Sequence, residues 1–143
     1  PYGHMTGAVR KGTKLLMIGA GAGVAPLLAL LEEEPYLPGH ATLITRDNTV
    51  EHGLRHQAIA DLITTRGLRH IPLLGPRSTG ASSWIPSSRA DRSGPDLIRD
   101  LAPDADNYDA FVCGPIPWMD AVKRDLRAAG FTDDRIHSEA FTV

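Results

Sequence analysis

A glycine-rich run near the start of the chain has the composition of an anion-binding turn. It extends from Gly19 to Pro26, between an apolar stretch and a leucine-rich one. Glycines let a ligand approach the backbone closely, and the start of a following helix offers unpaired N–H groups to an anion. The G-x-G-x-x-G spacing is absent, because Val24 or Pro26 takes the third glycine position in the two registers. The run predicts either a phosphate-binding turn or a tight turn without a ligand.

Charged residues follow two of the apolar runs that we predict to be strands. Arg46 and Asp47 end the second run, and Arg77 follows the third. At the carboxyl edge of a parallel sheet, an arginine can bind a phosphate, whereas a carboxylate accepts a hydrogen bond from a ribose hydroxyl and repels phosphate. The alternative for each arginine is an ordinary solvated charge.

Cys113, the only cysteine of the chain, precedes Gly114 and Pro115 at the end of the fourth apolar run. One thiol can form neither an internal disulfide nor a zinc site made of thiolates. The thiol either lines a site at the strand end or packs as a small apolar side chain. His52 and His56 are four residues apart on a predicted helix, but no third ligand is near, so we predict no metal site.

Apolar runs alternate with helical patterns along the chain, which predicts an α/β fold whose parallel sheet is covered on both faces. The predicted strands are residues 14–19, 41–46, 69–74, 108–113 and 135–140. The predicted helices begin near Pro26 and span residues 50–66 and 117–129. For the second helix, Val50, Leu54, Ala58 and Leu62 form the predicted buried face. Residues 75–95 are rich in Ser, Gly, Pro and Arg, which is typical of a functional or mobile loop.

Length and composition limit the classes of protein. The 143 residues suit one domain, and a net charge of -2 argues against nucleic acid as a partner. Residues 15–31 are uncharged, but three glycines and Pro26 interrupt them, so we do not expect a membrane span there. Because the chain begins at Pro1 without an initiating methionine, we expect a fragment of a longer protein, and a cloning remnant at residues 3–5 is the less favoured explanation.

Four stretches resemble, in the same order, motifs of one protein family. The glycine run is similar to a G-T-G-x-A-P loop, with alanine in place of threonine, and residues 112–115 are similar to a C-G-P motif. Residues 135–141 resemble a closing strand with a terminal aromatic, and Pro1-Tyr2-Gly3 resembles the end of a flavin-binding barrel. The family is the ferredoxin-NADP reductase superfamily, and the resemblance covers nearly the whole chain.

The resemblance implies a three-layer, doubly wound, Rossmann-like domain with five parallel strands in the order 3-2-1-4-5. Residues 11–143 would form the NAD(P)-binding domain, and residues 1–10 a linker from a flavin-binding barrel of the same parent chain. NADPH or NADH would bind this domain, and FAD mainly the barrel. The implied cofactor-binding residues are Gly19, Gly21, Ala22, Gly23, Val24, Ala25, Pro26, Arg46, Asp47, Arg77, Cys113, Gly114 and Pro115.

The resemblance also implies catalytic positions. Cys113 would line the hydride-transfer site, Phe141 would cover the flavin ring, and Glu139 would polarise the site. The alternative for Phe141 is packing of the last strand in the core. Trp118 either packs beneath the nucleotide or anchors the start of the last helix.

The implied activity is hydride transfer from NAD(P)H to FAD, followed by one-electron steps. Thr45-Arg46-Asp47 is similar to a stretch of NADPH oxidases and ferric reductases. This favours NADPH and a parent protein in the cell membrane, with haem-bearing transmembrane segments upstream and this domain on the cytoplasmic side. The alternatives are a reductase component of a soluble oxygenase system and a non-catalytic module that senses the redox state of the nucleotide.

Overall fold

Strands and helices alternate along the part of the chain that the computed structural model describes, residues 5–50, 53–77, 83–89 and 91–140. The strands are β1 Lys14–Ala20, β2 Ala41–Asp47, β3 Arg69–Leu74, β4 Tyr108–Gly114 and β5 Ile136–Ala140. The α-helices are α1 Val24–Glu33, α2 Leu54–Arg66, α3 Gly94–Leu101 and α4 Ile116–Ala128. Each predicted strand is therefore present, with ends that differ by one residue at most.

The sheet is parallel, and its strand order is β3-β2-β1-β4-β5. This confirms the predicted order. The chain builds outward from β1 to β3 and then returns to the other side of β1, so the order reverses between β1 and β4. Ligands of open α/β sheets bind at the carboxyl edge, where such a reversal opens a crevice. In β1, Gly19 lies opposite Cys113 of β4 and is therefore at this position.

Helices cover both faces of the sheet, which gives the three predicted layers. Leu15 and Met17 of β1 pack in a cluster with α1 and α2, whereas Leu16 and Ile18 pack on the other face with α3 and α4. Successive side chains of a strand point to opposite faces, so an internal strand needs apolar residues at both. This explains the continuous apolar runs; all seven residues of β4 are buried.

The buried face of α2 differs from the predicted one. Leu54 is 91% exposed and Val50 is 55% exposed, and the buried residues of the helix are Ile59 and Leu62. A four-residue repeat drifts by about 40° per step around a helix of 3.6 residues per turn, so Val50 and Leu62 could not share a face. The helix also begins later than predicted, after Gly53, whose φ of 106° is not helical.

The segment predicted as an irregular loop contains an additional helix and an anchored stretch. The side chain of Ser93 accepts a hydrogen bond from the backbone N–H of Asp96 at 3.2 Å, and Pro95 lies in the first turn of α3. These are ordinary signals of a helix start. In the stretch 83–89, Trp84 and Ile85 are each 1% exposed and belong to the core. Residues 84–86 are therefore packed against the domain, whereas residues 87–89 and 91–93 are exposed.

Residues 10–13, which lead into β1, are fastened to the amino edge of the sheet. The guanidinium of Arg10 donates to the carbonyl oxygens of Thr13 and Pro35 at 2.8 and 2.7 Å. The fully buried carboxylate of Asp109 accepts hydrogen bonds from the backbone N–H groups of Lys11 and Gly12. The entry to the domain is thus held on the side opposite the glycine-rich turn.

Candidate functional site

The glycine-rich turn connects β1 to α1 at the carboxyl edge of the sheet. Gly21–Gly23 form a 3₁₀ turn, and α1 begins at Val24, two residues before the predicted start. Gly21 has a φ of 53°, which favours glycine. A Cβ on Gly23 would lie 2.3 Å from the carbonyl oxygen of Cys113, so only glycine lets the turn approach the end of β4 this closely. The start of α1 and the end of β4 are therefore in direct backbone contact.

A cavity of about 460 Å³ opens where the carboxyl ends of β1, β2 and β4 meet. Its lining residues are Ala20, Gly21, Arg46, Asp47, Asn48, Arg77, Ser83, Pro115, Pro117 and Trp118. The structure thus brings together the glycine-rich turn, both predicted phosphate-binding arginines, Asp47 and the residue after the Cys-Gly pair. Helices α1 and α4 both begin at this edge, and helix starts carry positive partial charge and unpaired N–H groups.

Trp118 stands in the first turn of α4 and forms one wall of this cavity. A Cβ on Gly114 would lie 2.6 Å from the indole ring, so the glycine makes room for the ring. The indole Nε1–H is buried and has no hydrogen-bond partner among the described residues. Buried donors are normally satisfied. An acceptor group of a ligand in the cavity would satisfy this one.

Cys113 is fully buried and packs with Met17 and Val24 on the α1 side of the sheet. It is not among the residues that line the cavity. Burial, and to a smaller extent the charge of Glu139, its neighbour across β4 and β5, raise the pKa of the thiol to about 11. The sulfur is therefore a protonated thiol at neutral pH, neither a nucleophile nor a base. Phe141 lies outside the described residues.

Arg46 has most of its donors engaged with the backbone. Its Nε donates to the carbonyl oxygen of Trp84 at 3.1 Å, and its Nη2 donates to that of Gly75 at 2.8 Å. Its Nη1 donates to the carbonyl oxygens of Asp47 and Leu73 at 2.7 and 3.5 Å. Burial lowers the pKa of Arg46, but an arginine keeps its charge at neutral pH. The residue joins β2, β3 and the stretch 83–89, and one of its five N–H donors is left for a ligand.

Asp47 forms an ion pair with Arg55, a residue of the first turn of α2. The side chains of Arg55 and Asp47 are 19% and 15% exposed. Arg55 also donates from Nη1 to the carbonyl oxygen of Gly21 at 3.3 Å. It therefore joins the end of β2 to the glycine-rich turn.

Arg77 differs from Arg46 in being exposed at the rim of the cavity. Its backbone forms an antiparallel bridge with Pro86, and the neighbouring carbonyl of Pro76 accepts from Ser87 at 3.0 Å. The backbone of Arg77 is thus fixed while its side chain faces solvent. Two arginines, two helix starts and an indole around one cavity suit a ligand that carries several phosphates and a planar ring.

Comparisons with known proteins place the chain among reductases. No protein-family model matches it. One component of the 1,2-phenylacetyl-CoA epoxidase of Escherichia coli (strain K12) is 31% identical over 150 residues, which cover 99% of this chain and 40% of that protein. The ferredoxin reductase component of the 3-ketosteroid-9-alpha-monooxygenase of Rhodococcus rhodochrous is 28% identical over 126 residues, 88% of this chain and 33% of that protein.

Among solved structures, the ferredoxin-NADP+ reductase of Plasmodium falciparum superposes with a TM-score of 0.65. The match covers 94% of this chain and 56% of that one at 14% sequence identity, so it shows the shared fold. The chain therefore has the fold of part of this reductase, and its sequence is similar to parts of the two curated proteins. It spans about a third to two-fifths of the length of the two curated relatives.

Two groups of the sequence-predicted residues can be placed in this fold. Gly21 of the glycine-rich turn, Arg46, Asp47, Arg77 and Pro115 line the cavity. Cys113 and Glu139 face each other across β4 and β5, and Cys113 is enclosed in the core. The ligand roles of all these residues stay predictions. The glycine-rich turn and the Cys-Gly-Pro stretch lie at the same edge of the sheet, whereas Pro1-Tyr2-Gly3 and Phe141 lie outside the described residues.

Arg55 is the residue of this edge that sequence reasoning missed. It lies eight positions after Asp47 in the chain, beyond the turn that precedes α2. Only the general preference for an arginine near a carboxylate connects the two in sequence, and many such pairs in the chain never meet.

Proposed function

We propose that this domain binds NADPH and presents its nicotinamide to FAD held by a barrel domain outside this chain. The observation that carries the proposal is the cavity at the strand-order reversal, which is bordered by two helix starts, Arg46 and Arg77. The residues present fit such a nucleotide. Gly21 lines the cavity and has no atom within 4 Å of the place that a Cβ would take, and the buried indole N–H of Trp118 lacks an acceptor among the described residues.

Each part of the cavity suits one part of the nucleotide. The glycine-rich turn and the start of α1 would hold the diphosphate, because they combine close backbone approach with a positive helix end. Arg77, with an exposed guanidinium, would bind the 2′-phosphate, and Arg46 would add its charge and its remaining donor. Pro115 and Trp118 would border the nicotinamide half. NADPH, when bound, supplies the hydride.

Cys113 and Glu139 have positional roles in this proposal. The raised pKa of Cys113 keeps its thiol protonated, so the residue contributes shape and an uncharged surface. Glu139, partly buried beside it, adds negative charge near the end of β5. Phe141 would cover the flavin ring, as the resemblance implies. The chain's contribution to the reaction is alignment, since hydride passes between cofactors without a protein nucleophile.

The domain boundary at residue 10 is part of the proposal. Residues 10–13 are bound to the sheet through Arg10 and Asp109. The segment that connects the domain to a barrel would therefore come before them in the chain. We propose residues 1–10 as the linker and residues 11–143 as the NAD(P)-binding domain of a longer chain. The FAD-binding barrel of that chain is the proposed partner.

The electron acceptor has two candidates. One relative is the ferredoxin reductase component of a monooxygenase, which supports a reductase component of such a system. The resemblance of residues 45–47 to ferric reductases supports a membrane-bound parent with haem and this domain on the cytoplasmic side. No helix among the described residues is both long and apolar enough to cross a bilayer. The segments that precede residue 1 in the parent would distinguish the two.

Calorimetry with NADPH and NADH on the 143-residue chain tests the binding proposal. We expect NADPH to bind more tightly than NADH, because two arginines border the cavity. Absence of binding by either nucleotide would refute the proposal. Rapid-mixing reduction of FAD by NADPH in the full-length parent tests the transfer step, and binding without FAD reduction would instead indicate a nucleotide-sensing module.

A further inference from the structure

We infer that Arg55 sets the nucleotide preference of this domain by neutralising Asp47 at the cavity wall. The inference rests on the proposed function, because it concerns the phosphorylated ribose of the same nucleotide. Arg55 does not line the cavity itself, so it is a positioning residue that acts through Asp47.

Asp47 is the reason why neutralisation matters. Asp47 lines the cavity at the end of β2, beside Arg46 and Asn48. A carboxylate at this edge accepts a hydrogen bond from a free 2′-hydroxyl and repels a 2′-phosphate. An unpaired Asp47 would therefore favour NADH over NADPH, against the effect of Arg46 and Arg77.

The contacts of Arg55 hold its charge on this carboxylate. Nη2 is bonded to Oδ2 of Asp47, and Nη1 donates to the carbonyl oxygen of Gly21 at 3.3 Å. With side chains only 19% and 15% exposed, the pair is screened by salt less than a surface pair would be. The Nε–H of Arg55 is buried without a partner among the described residues, so the two Nη contacts fix the guanidinium.

The other basic groups near Asp47 do not replace Arg55. Arg46 donates to the backbone carbonyl of Asp47, not to its carboxylate, and its remaining bonds are to other carbonyls. His70 is hydrogen-bonded through Nε2 to Thr45 at 2.8 Å. Burial lowers the pKa of His70, and the charge of Arg55 lowers it further, so this imidazole is neutral at pH 7.

Arg55 also connects the proposed 2′-phosphate site, beside Asp47, with the proposed diphosphate site at the glycine-rich turn. Because it holds both Asp47 and the carbonyl of Gly21, its loss frees the carboxylate and loosens one contact of the glycine-rich turn. The first effect weakens the binding of ligands with a 2′-phosphate and favours those with a free 2′-hydroxyl, whereas the second weakens every ligand with a 5′-phosphate. Two small probes separate them: adenosine 2′,5′-bisphosphate and adenosine 5′-monophosphate.

The test is calorimetry of both probes with the wild-type chain, R55Q, R55K, D47N and the double variant R55Q/D47N. We expect R55Q to lower the preference for the bisphosphate about tenfold, as one uncompensated charge near the phosphate implies. R55K keeps the charge and should keep most of the preference. The double variant should regain it, because the repelling carboxylate is gone.

R66Q is the matched control, since Arg66 is the last residue of α2 and binds carbonyl oxygens of Leu31 and Glu34 away from the cavity. It should leave the ratio of the two affinities unchanged. Circular dichroism and thermal melting of each variant report folding.

Three results would overturn the inference. R55Q could keep the wild-type ratio, both probes could weaken equally, or removal of Asp47 could fail to restore the preference. Each leaves the proposed function intact, because the wild-type chain still binds the bisphosphate. A wild-type chain that binds neither probe refutes the proposed function, and the inference with it.

Discussion

The indole Nε1 of Trp84 donates to Oδ2 of Asp125 at 2.8 Å in the interior of the domain. The chain has two tryptophans, and the equivalent donor of Trp118 is buried beside the cavity without a partner among the described residues. One indole N–H thus has a buried carboxylate as its partner, and the other has no acceptor among the described residues. We therefore expect Trp84 to contribute to the stability of the fold and Trp118 to nucleotide binding.

Replacing each tryptophan with phenylalanine should separate these roles. Trp84→Phe removes a buried hydrogen bond to a carboxylate and should lower the free energy of unfolding by about 2 to 3 kcal/mol. Trp118→Phe removes an unsatisfied donor and should change it by less than about 1 kcal/mol. For NADPH affinity we expect the reverse, a loss of about tenfold for Trp118→Phe only. Urea denaturation and calorimetry measure the two quantities, and equal effects on both would contradict the assignment.

Arg46 and Arg77 should also differ in their effects. Arg46→Gln removes bonds to four carbonyl oxygens and should lower the free energy of unfolding by about 2 kcal/mol. Arg77→Gln alters an exposed side chain and should change stability by less than about 0.5 kcal/mol. Arg77→Gln should weaken NADPH about tenfold and NADH much less. If Arg77→Gln weakened both nucleotides equally, Arg77 would not be the phosphate ligand.

Two glycines of the turn should tolerate alanine differently. In Gly23→Ala the new Cβ meets the carbonyl oxygen of Cys113 at 2.3 Å, so α1 must move, at a cost of about 1 to 3 kcal/mol. Gly21→Ala meets no atom within 4 Å and has only the strain of its positive φ, about 1 kcal/mol. Chemical denaturation of both variants measures the difference. A Gly23→Ala protein as stable as wild type would show that this contact does not constrain the turn.

The buried thiol should make stability depend on pH in the alkaline range. The pKa of Cys113 is about 11 in the folded protein, against 9.0 for a free thiol. Its contribution is complete below pH 9 and is lost as the pH rises from 9 to 11, because only the unfolded state then releases the proton. The loss should reach about 2 kcal/mol.

Cys113→Ala is the comparison for that measurement. Urea denaturation at pH 8 and at about pH 10.5 should show a smaller fall in stability for the variant than for wild type. The raised pKa values of Tyr36 and Lys14 are common to both proteins, so their effects cancel in the difference. The same fall in both proteins would mean that the thiol is not the group responsible.

The sheet could be predicted from the sequence because internal parallel strands have distinctive patterns. Residues 14–19 and 108–113 are apolar on both faces, and helices must then cover both sides. The strand order came from the family resemblance. The motifs at the strand ends also indicated the edge of the sheet where the cavity lies.

The sequence patterns did not predict helix α3 or the hydrogen-bond partners of Arg46 and Asp47, and the reasons differ. The start of α3 had signals in Ser93 and Pro95, but the surrounding Ser, Gly, Pro and Arg residues obscured them. The four-carbonyl environment of Arg46 depends on where Trp84 and Gly75 return in space, which no local pattern encodes. The pair of Asp47 and Arg55 likewise arises from the angle between a strand end and a helix start.

The backbone contact between Gly23 and the carbonyl of Cys113 has a consequence for protein engineering. Grafting the turn from another reductase would place a foreign loop against an unaltered β4, and any side chain at position 23 would push the two apart. A chimera that alters coenzyme use should therefore exchange both segments together, as a single transplanted unit.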